Sequence, residues 1–242
     1  MRLRGGYTTY GQDIGVLMLD TQFPRLPGDV GNNASYPNVH LRYKVVKNAY
    51  GTRIMGKNPD PELLRPFIDA ARELEADGCK AITTSCGFLA AFQKELASAV
   101  HVPVFTSAMI LVPLIQRMIN PDQEIAIFTE RAWNLTENHL NQLGFSTKDI
   151  PVVVTGMPEG SPFPGLFIEN NLEEDLEVLE ECMREMTIRN MKEHPNTGAI
   201  VFECTNMGPF SKVVQDIAKV PVFGLSQLVE YMASVVNVPR YY

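Results

Sequence analysis

The sequence predicts an α/β fold of two pseudosymmetric units, each a parallel sheet flanked by helices, with a site in the cleft between them. Three observations predict it. Ala81 to Phe105 recurs almost without gaps from Ala199 to Phe223, so that Val102-Pro103-Val104-Phe105 returns as Val220-Pro221-Val222-Phe223. Each copy carries one cysteine at the same point, Cys86 and Cys204, at the separation of 118 positions (204 − 86) that relates the other matches. Strand-length apolar runs alternate with helical patterns through both halves, as right-handed βαβ crossovers require.

The first unit opens on Ile14-Gly15-Val16-Leu17-Met18-Leu19, a continuous apolar run that suits a strand buried on both faces, and the second opens on Glu124 to Thr129. A second strand is expected at Val39 to Val46 and at Pro151 to Thr155. A helix follows in each half. In the first, Leu63, Leu64, Phe67, Ile68, Ala71 and Leu74 recur at helical spacing after Pro61, with Gly78 as the stop. In the second, Leu172, Leu176, Leu179, Met183 and Met186 form the apolar stripe, and the acidic run from Glu173 to Glu181 reads as a solvated face. Each unit then runs strand (Lys80 to Ser85; Ala199 to Glu203), cysteine, helix (Phe88 to Ala99; Pro209 to Ala218) and strand (Val102 to Phe105; Val220 to Phe223). A last helix is expected at Ala108 to Ile119, kinked at Pro113, and at Ser226 to Val236. The first unit is expected to span 1–106 plus 224–242, and the second 107–223.

Composition narrows the function. The chain of 242 residues is 45% hydrophobic and 20% charged, which suits a globular protein with a sizeable core. It has no apolar run long enough for a membrane span, and Met1 to Gly15 lacks the apolar stretch of a secretory leader, so a cytoplasmic location is expected. A net charge of −7 argues against nucleic acid, whose phosphates need a basic stripe, and leaves small molecules or proteins as partners. The four cysteines, Cys79, Cys86, Cys182 and Cys204, have no zinc-type spacing and read as free thiols. His40, His101, His139 and His194 share no metal-ligand spacing either.

Cys86 and Cys204 fall at the carboxyl ends of strands just before helices, where open α/β sheets bind ligands. Backbone N–H groups at a helix start favour a thiolate and offer donors to a substrate carboxylate. Two thiolates facing one another repel, so one thiolate and one thiol are expected, the arrangement needed to take a proton from one face of a carbon and return one to the other. Cys79 and Cys182 read as small core residues.

Cys86-Gly87-Phe88, Cys204-Thr205-Asn206, the opening Gly15-Val16-Leu17-Met18-Leu19-Asp20-Thr21 and the duplication resemble the aspartate/glutamate racemase superfamily, which includes hydantoin racemases, maleate isomerases and arylmalonate decarboxylases. The resemblance implies no cofactor or metal, a small carboxylate substrate, a homodimer, and α-carbon proton exchange by Cys86 and Cys204. It also implies that the final helix packs back on the first unit. Ser85, Gly87, Phe88, Thr129, Thr205 and Asn206 are candidate substrate-binding residues, Asp20 a candidate to orient Cys86, and Arg25 a candidate carboxylate anchor. Asn206 stands where racemases of this type carry an ionisable residue, so activation of Cys204 needs another source. Glu203 is expected to point away from its cysteine by strand alternation. The loop Leu26 to Asn33 reads as a lid or active-site loop, because it lacks the context of a nucleotide fingerprint.

The function expected from these residues is a cofactor-independent amino-acid racemase or epimerase. A maleate-isomerase-like or arylmalonate-decarboxylase-like enzyme of the same fold is the alternative, and a non-catalytic small-molecule-binding or redox-sensing protein is the alternative of another class.

Overall fold

A computed structural model describes residues 5–242. Positions 1–4, where the stretch read for a leader begins, lie outside the described residues. The first half runs β1 (Ile14–Met18), β2 (Leu41–Val45), α1 (Gly51–Ile54), α2 (Leu64–Ala76), β3 (Ala81–Thr84), α3 (Gln93–Ala99), β4 (Val104–Phe105) and α4 (Val112–Ile115). The second runs β5 (Glu124–Phe128), α5 (Glu137–Gln142), β6 (Val152–Thr155), α6 (Phe163–Phe167), α7 (Leu176–Glu193), β7 (Thr197–Phe202), α8 (Ser211–Ala218), β8 (Val222–Phe223) and α9 (Leu225–Val236).

Each half forms a four-stranded sheet, all pairings parallel, in the orders β2-β1-β3-β4 and β6-β5-β7-β8. The chain therefore winds outward from β1 in one direction and then in the other, which leaves a crevice past the carboxyl ends of β1 and β3, and likewise of β5 and β7. Both cysteines follow these switch-point strands. β1, β3 and β7 are buried throughout, which accounts for their unbroken apolar or small-polar sequences.

The core has three layers of apolar contact. One cluster lies between the two sheets and joins Ile14 and Val16 of β1 to Ile125 and Ile127 of β5, with Leu228 and Val229 of α9 packed in. A second backs the first sheet with α2 and α3, and a third backs the second sheet with α7 and α8. α9 is tied to the first half by Asn237, whose Nδ2 donates to Asp13 at 2.7 Å, and by Ser226, whose hydroxyl donates to the Gly28 carbonyl at 2.7 Å. Among the described residues no helix is long and apolar enough to cross a membrane.

Three local expectations are corrected. The segments after the cysteines begin as 3₁₀ helices, Gly87–Phe92 and Thr205–Phe210, before α3 and α8 take over. Pro209, without an N–H, sits inside the second of these, and a tighter first turn accommodates it. Pro113 does not kink a long helix. A 3₁₀ turn, Ala108–Leu111, precedes α4, and Pro113 occupies the first turn of α4, where no intrahelical donor is required. Leu172 lies outside α7 and Leu176 is exposed, so the buried stripe of α7 is Leu179, Cys182, Met183 and Met186.

Candidate active site

Cys86 and Cys204 are the N-cap residues of the two 3₁₀ helices, both with extended backbone. They line one cavity of about 10 Å³, together with Ser85, Gly87, Glu203, Thr205, Asn206 and an apolar wall of Leu19, Phe23, Met55 and Phe167. That volume holds about one water molecule. Cys86 is 5% exposed and Cys204 3% exposed.

The two halves meet here by direct bonds. The Thr205 hydroxyl donates to the Ser85 carbonyl at 2.9 Å. A Cβ on Gly87 would stand 2.1 Å from the carbonyl oxygen of Glu203, so only glycine lets the two strand ends approach this closely. Within each half the residue before the cysteine bonds the residue just past the first strand. Leu19 N–H donates to Ser85 Oγ at 3.0 Å, and the Thr129 hydroxyl donates to Glu203 Oε2 at 2.7 Å.

Glu203 is therefore corrected to a cavity-lining residue. β7 ends at Phe202, so strand alternation no longer governs the next side chain, which turns into the site. The sequence reading also missed Glu130. It stands two residues beyond β5, as Asp20 stands two residues beyond β1. The Cys204 thiol donates to Glu130 Oε1 at 2.9 Å, and the Asn206 side chain also bonds the Glu130 carboxylate. Asp20 is not part of the cavity lining. Its carboxylate accepts from Asn48 N–H at 3.1 Å and pairs with Lys47 at 3.5 Å.

The other candidates divide in the same way. Arg25 is committed within its loop, pairing with Asp29 at 2.8 Å, donating to Thr21 at 3.1 Å and lying over the Phe23 ring at 4.4 Å. Thr129 stands behind Glu203 rather than in the lining. Phe88 contributes its backbone N–H, which bonds near Cys86 and Glu203, while its ring meets His139 edge-on at 5.2 Å. Thr84 bonds the carbonyls of Cys86 and Thr106 at 2.9 and 2.7 Å. The hydroxyls of Thr84, Ser85 and Thr205 thus serve the backbone, and Cys204 is served by a carboxylate. The loop Leu26 to Asn33 closes on the second half, since a Cβ at Gly28, whose φ is +105°, would meet the Pro209 backbone at 2.8 Å.

Electrostatics follow from burial. Desolvation pushes Glu130 up to about 8, with Glu203 adding to the rise and the Cys204 and Asn206 bonds opposing it. Desolvation likewise pushes Glu203 up to about 7, against the Thr129 and Phe88 bonds. Both thiols are pushed well above the ordinary cysteine value by desolvation, then by the neighbouring carboxylates. The lining contains no Lys, Arg or His. Among the described residues no group of three His, Cys, Asp or Glu side chains is arranged to hold a metal ion. The groups present are those that proton transfer uses: a thiol, a carboxylate bonded to it, and a second thiol in the same chamber.

A segment of the second half closes the chamber. Phe167 of α6 packs edge-on against Phe23 at 5.0 Å, and the Asn170 side chain accepts from the N–H groups of Gln22 and Phe23 at 2.7 and 3.2 Å. On the outer side of α6 lies a cleft of about 510 Å³ bordered by Glu130, Arg131, Trp133, Pro164 and Glu169. Glu130 thus bonds a thiol of the inner chamber and borders the outer cleft.

No family model matches the chain. It is 30% identical over 214 residues to a dimethylsulfoniopropionate lyase of Durusdinium sp. clade D, an alignment covering 87% of this chain and 70% of that protein. It is 26% identical over 237 residues to dimethylsulfoniopropionate lyase 7 of Emiliania huxleyi (strain CCMP1516), covering 94% and 68%. Among solved structures, an allantoin racemase from Klebsiella pneumoniae superposes with a TM-score of 0.64 at 18% identity, covering 93% of this chain and 88% of that one. A glutamate racemase from Francisella tularensis, in complex with D-glutamate, gives 0.58 at 18% identity, covering 95% and 84%. An unliganded arylmalonate decarboxylase gives 0.54 at 14% identity, covering 95% and 94%. The chain shares the fold of these two racemases and this decarboxylase.

Proposed function

Because this chain belongs to the dimethylsulfoniopropionate lyase family, we propose that it is an enzyme that eliminates dimethyl sulfide from dimethylsulfoniopropionate and leaves acrylate. The substrate has a carboxylate at one end and a sulfonium on the carbon β to it. Removal of an α-proton leaves an electron pair on Cα. That pair becomes the Cα–Cβ double bond as the Cβ–S bond breaks, its electrons departing on sulfur as neutral dimethyl sulfide.

The observation that carries this reading is the Cys204 thiol bonded to Glu130 inside the cavity it shares with Cys86. Glu130 takes the Cys204 proton, the thiolate takes the substrate α-proton, and Glu130 passes its proton to the outer cleft. The bound sulfonium favours the ionised thiol, because its positive charge offsets the repulsion from the two carboxylates. Backbone N–H groups after each cysteine face the substrate carboxylate. Elimination and racemisation share the first step, abstraction at the α-carbon, and elimination needs one base where inversion needs two.

Headspace gas chromatography of dimethyl sulfide, with purified protein and dimethylsulfoniopropionate, tests the assignment. Cys204→Ala is expected to lower kcat by about 10²- to 10⁴-fold, the usual contribution of a positioned general base. Undiminished release from a folded Cys204→Ala protein overturns it.

A second reading, inversion of an amino-acid α-carbon, is favoured by the presence of two cysteines in one cavity. Deuterium entering the α-position of an intact amino acid in D₂O, with no leaving group lost, supports that reading over elimination. The redox-sensing alternative gains least support, because sealed thiols held protonated react slowly with oxidants.

A further inference from the structure

The site contains three polar atoms with no partner, and all three are acceptors: Glu130 Oε2, Glu203 Oε1 and Asn206 Oδ1. Their residues are 1%, 1% and 5% exposed. Buried polar groups are normally bonded, so an orphan cluster of one sign marks where a ligand completes the bonding. Acceptors with two carboxyl groups among them suit a positively charged group, which they hold by charge rather than by a hydrogen bond. Oε2 of Glu203 accepts from Thr129, while Oε1 lies beside Gly87, itself a lining residue, with no well-formed hydrogen bond. The Asn206 amide is held at its other end by Glu130, which leaves Oδ1 free. The rest of the lining includes Leu19, Phe23, Met55 and Phe167, apolar side chains that suit methyl groups. A group that is cationic on one side and methylated on the other matches the chemistry of both surfaces, and the chamber, which holds about one water molecule as it stands, has to widen to admit it.

We propose that Glu203, assisted by Asn206, is the specificity-determining residue that binds a methylated onium group, which in the lyase reaction above is the sulfonium of the substrate. The proposal rests on that reading for the ligand's identity and goes beyond it by assigning the subsite. Glu203 acts as a counter-charge. It places the leaving sulfur against the apolar wall, and the attraction ends when dimethyl sulfide departs neutral.

Three non-reacting probes of one chain length test it by isothermal titration: 3-(trimethylammonio)propionate, 3-(methylthio)propionate and 3-aminopropionate. The native protein is expected to bind the trimethylammonio compound about tenfold or more tighter than the thioether, the scale of one charged contact. Glu203→Gln, which keeps the size of the side chain, is expected to bring that ratio to within about twofold while leaving thioether affinity nearly unchanged. Asn206→Leu is the second variant, should Glu203→Gln not fold, and is expected to lower the ratio by a smaller factor. Equal binding of onium and thioether by the native protein overturns the proposal. So does an unchanged ratio in a folded Glu203→Gln protein, and so does tighter binding of 3-aminopropionate, which would make the cluster an ammonium site. The outcomes separate the two readings. Onium preference without release of dimethyl sulfide leaves the subsite standing and removes the lyase reaction, whereas release without onium preference does the reverse.

Discussion

Thr205 donates its hydroxyl to the carbonyl of Ser85 at 2.9 Å, so the residue after one cysteine is fastened to the residue before the other. The bond spans the two sheets at the point where the reacting groups meet. Thr205→Val keeps the shape and removes the donor, leaving a buried carbonyl without its partner. A loss of about 1–3 kcal/mol is expected in denaturant unfolding, with Thr205→Ser close to native.

Gly87 gives a second test of that junction. The carbonyl oxygen of Glu203 stands 2.1 Å from where a Cβ would be, and as backbone it cannot swing aside. Gly87→Ala is expected to destabilise by at least about 1–3 kcal/mol and to abolish turnover by parting the strand ends. Gly56→Ala, whose nearest atom would be Asn58 O at 3.6 Å, serves as the control and is expected to stay within about 0.5 kcal/mol of native. Thermal melts and the dimethyl sulfide assay of both variants check this pair.

Glu130 should govern the pH profile. It receives the Cys204 proton only when ionised, and burial holds it protonated up to about 8. kcat/KM, which reports the free enzyme, is therefore expected to rise with pH through that value. In Glu130→Gln the limb should disappear and kcat should fall by about 10²-fold or more. An unaltered limb in the variant removes Glu130 from the proton path.

Stability without ligand should run the opposite way. The folded-state values of Glu130 and Glu203 lie above the ordinary 4.5, at about 8 and about 7. The unfolded chain thus releases these protons first, and their contribution, complete below 4.5, is lost as pH rises through 7 and 8. The melting temperature is expected to fall across that window, and Glu203→Gln should flatten the decline. A saturating onium probe should also raise the melting temperature most at the alkaline end, where both acids are charged.

Much of this was legible in the sequence because duplication writes one architecture twice. The matched runs located β1 with β5 and β3 with β7, and the shared position of Cys86 and Cys204 put both sulfurs beside one cavity. What escaped was local geometry. Glu203 was set aside by an alternation rule that stops applying once β7 ends at Phe202. Glu130 lacked a neighbouring motif, and it lies outside the repeated stretch that carries the cysteines. Arg25 looked free because its partner Asp29 is brought back by a loop whose closure depends on contact with Gly208 and Pro209, far along the chain. The 3₁₀ turns after the cysteines follow from Pro209 and from the closeness of Gly87 to the opposite strand, which periodicity does not encode.

The acids beyond the two first strands differ: Asp20 faces a lysine and the outside, while Glu130 has a sulfhydryl as its neighbour. Two halves of like fold thus carry unlike chemistry. In the elimination proposed above, a single thiol paired with an acid is enough, whereas inversion would also call on the sulfur of the opposite wall, which has no hydrogen-bonded acid of its own.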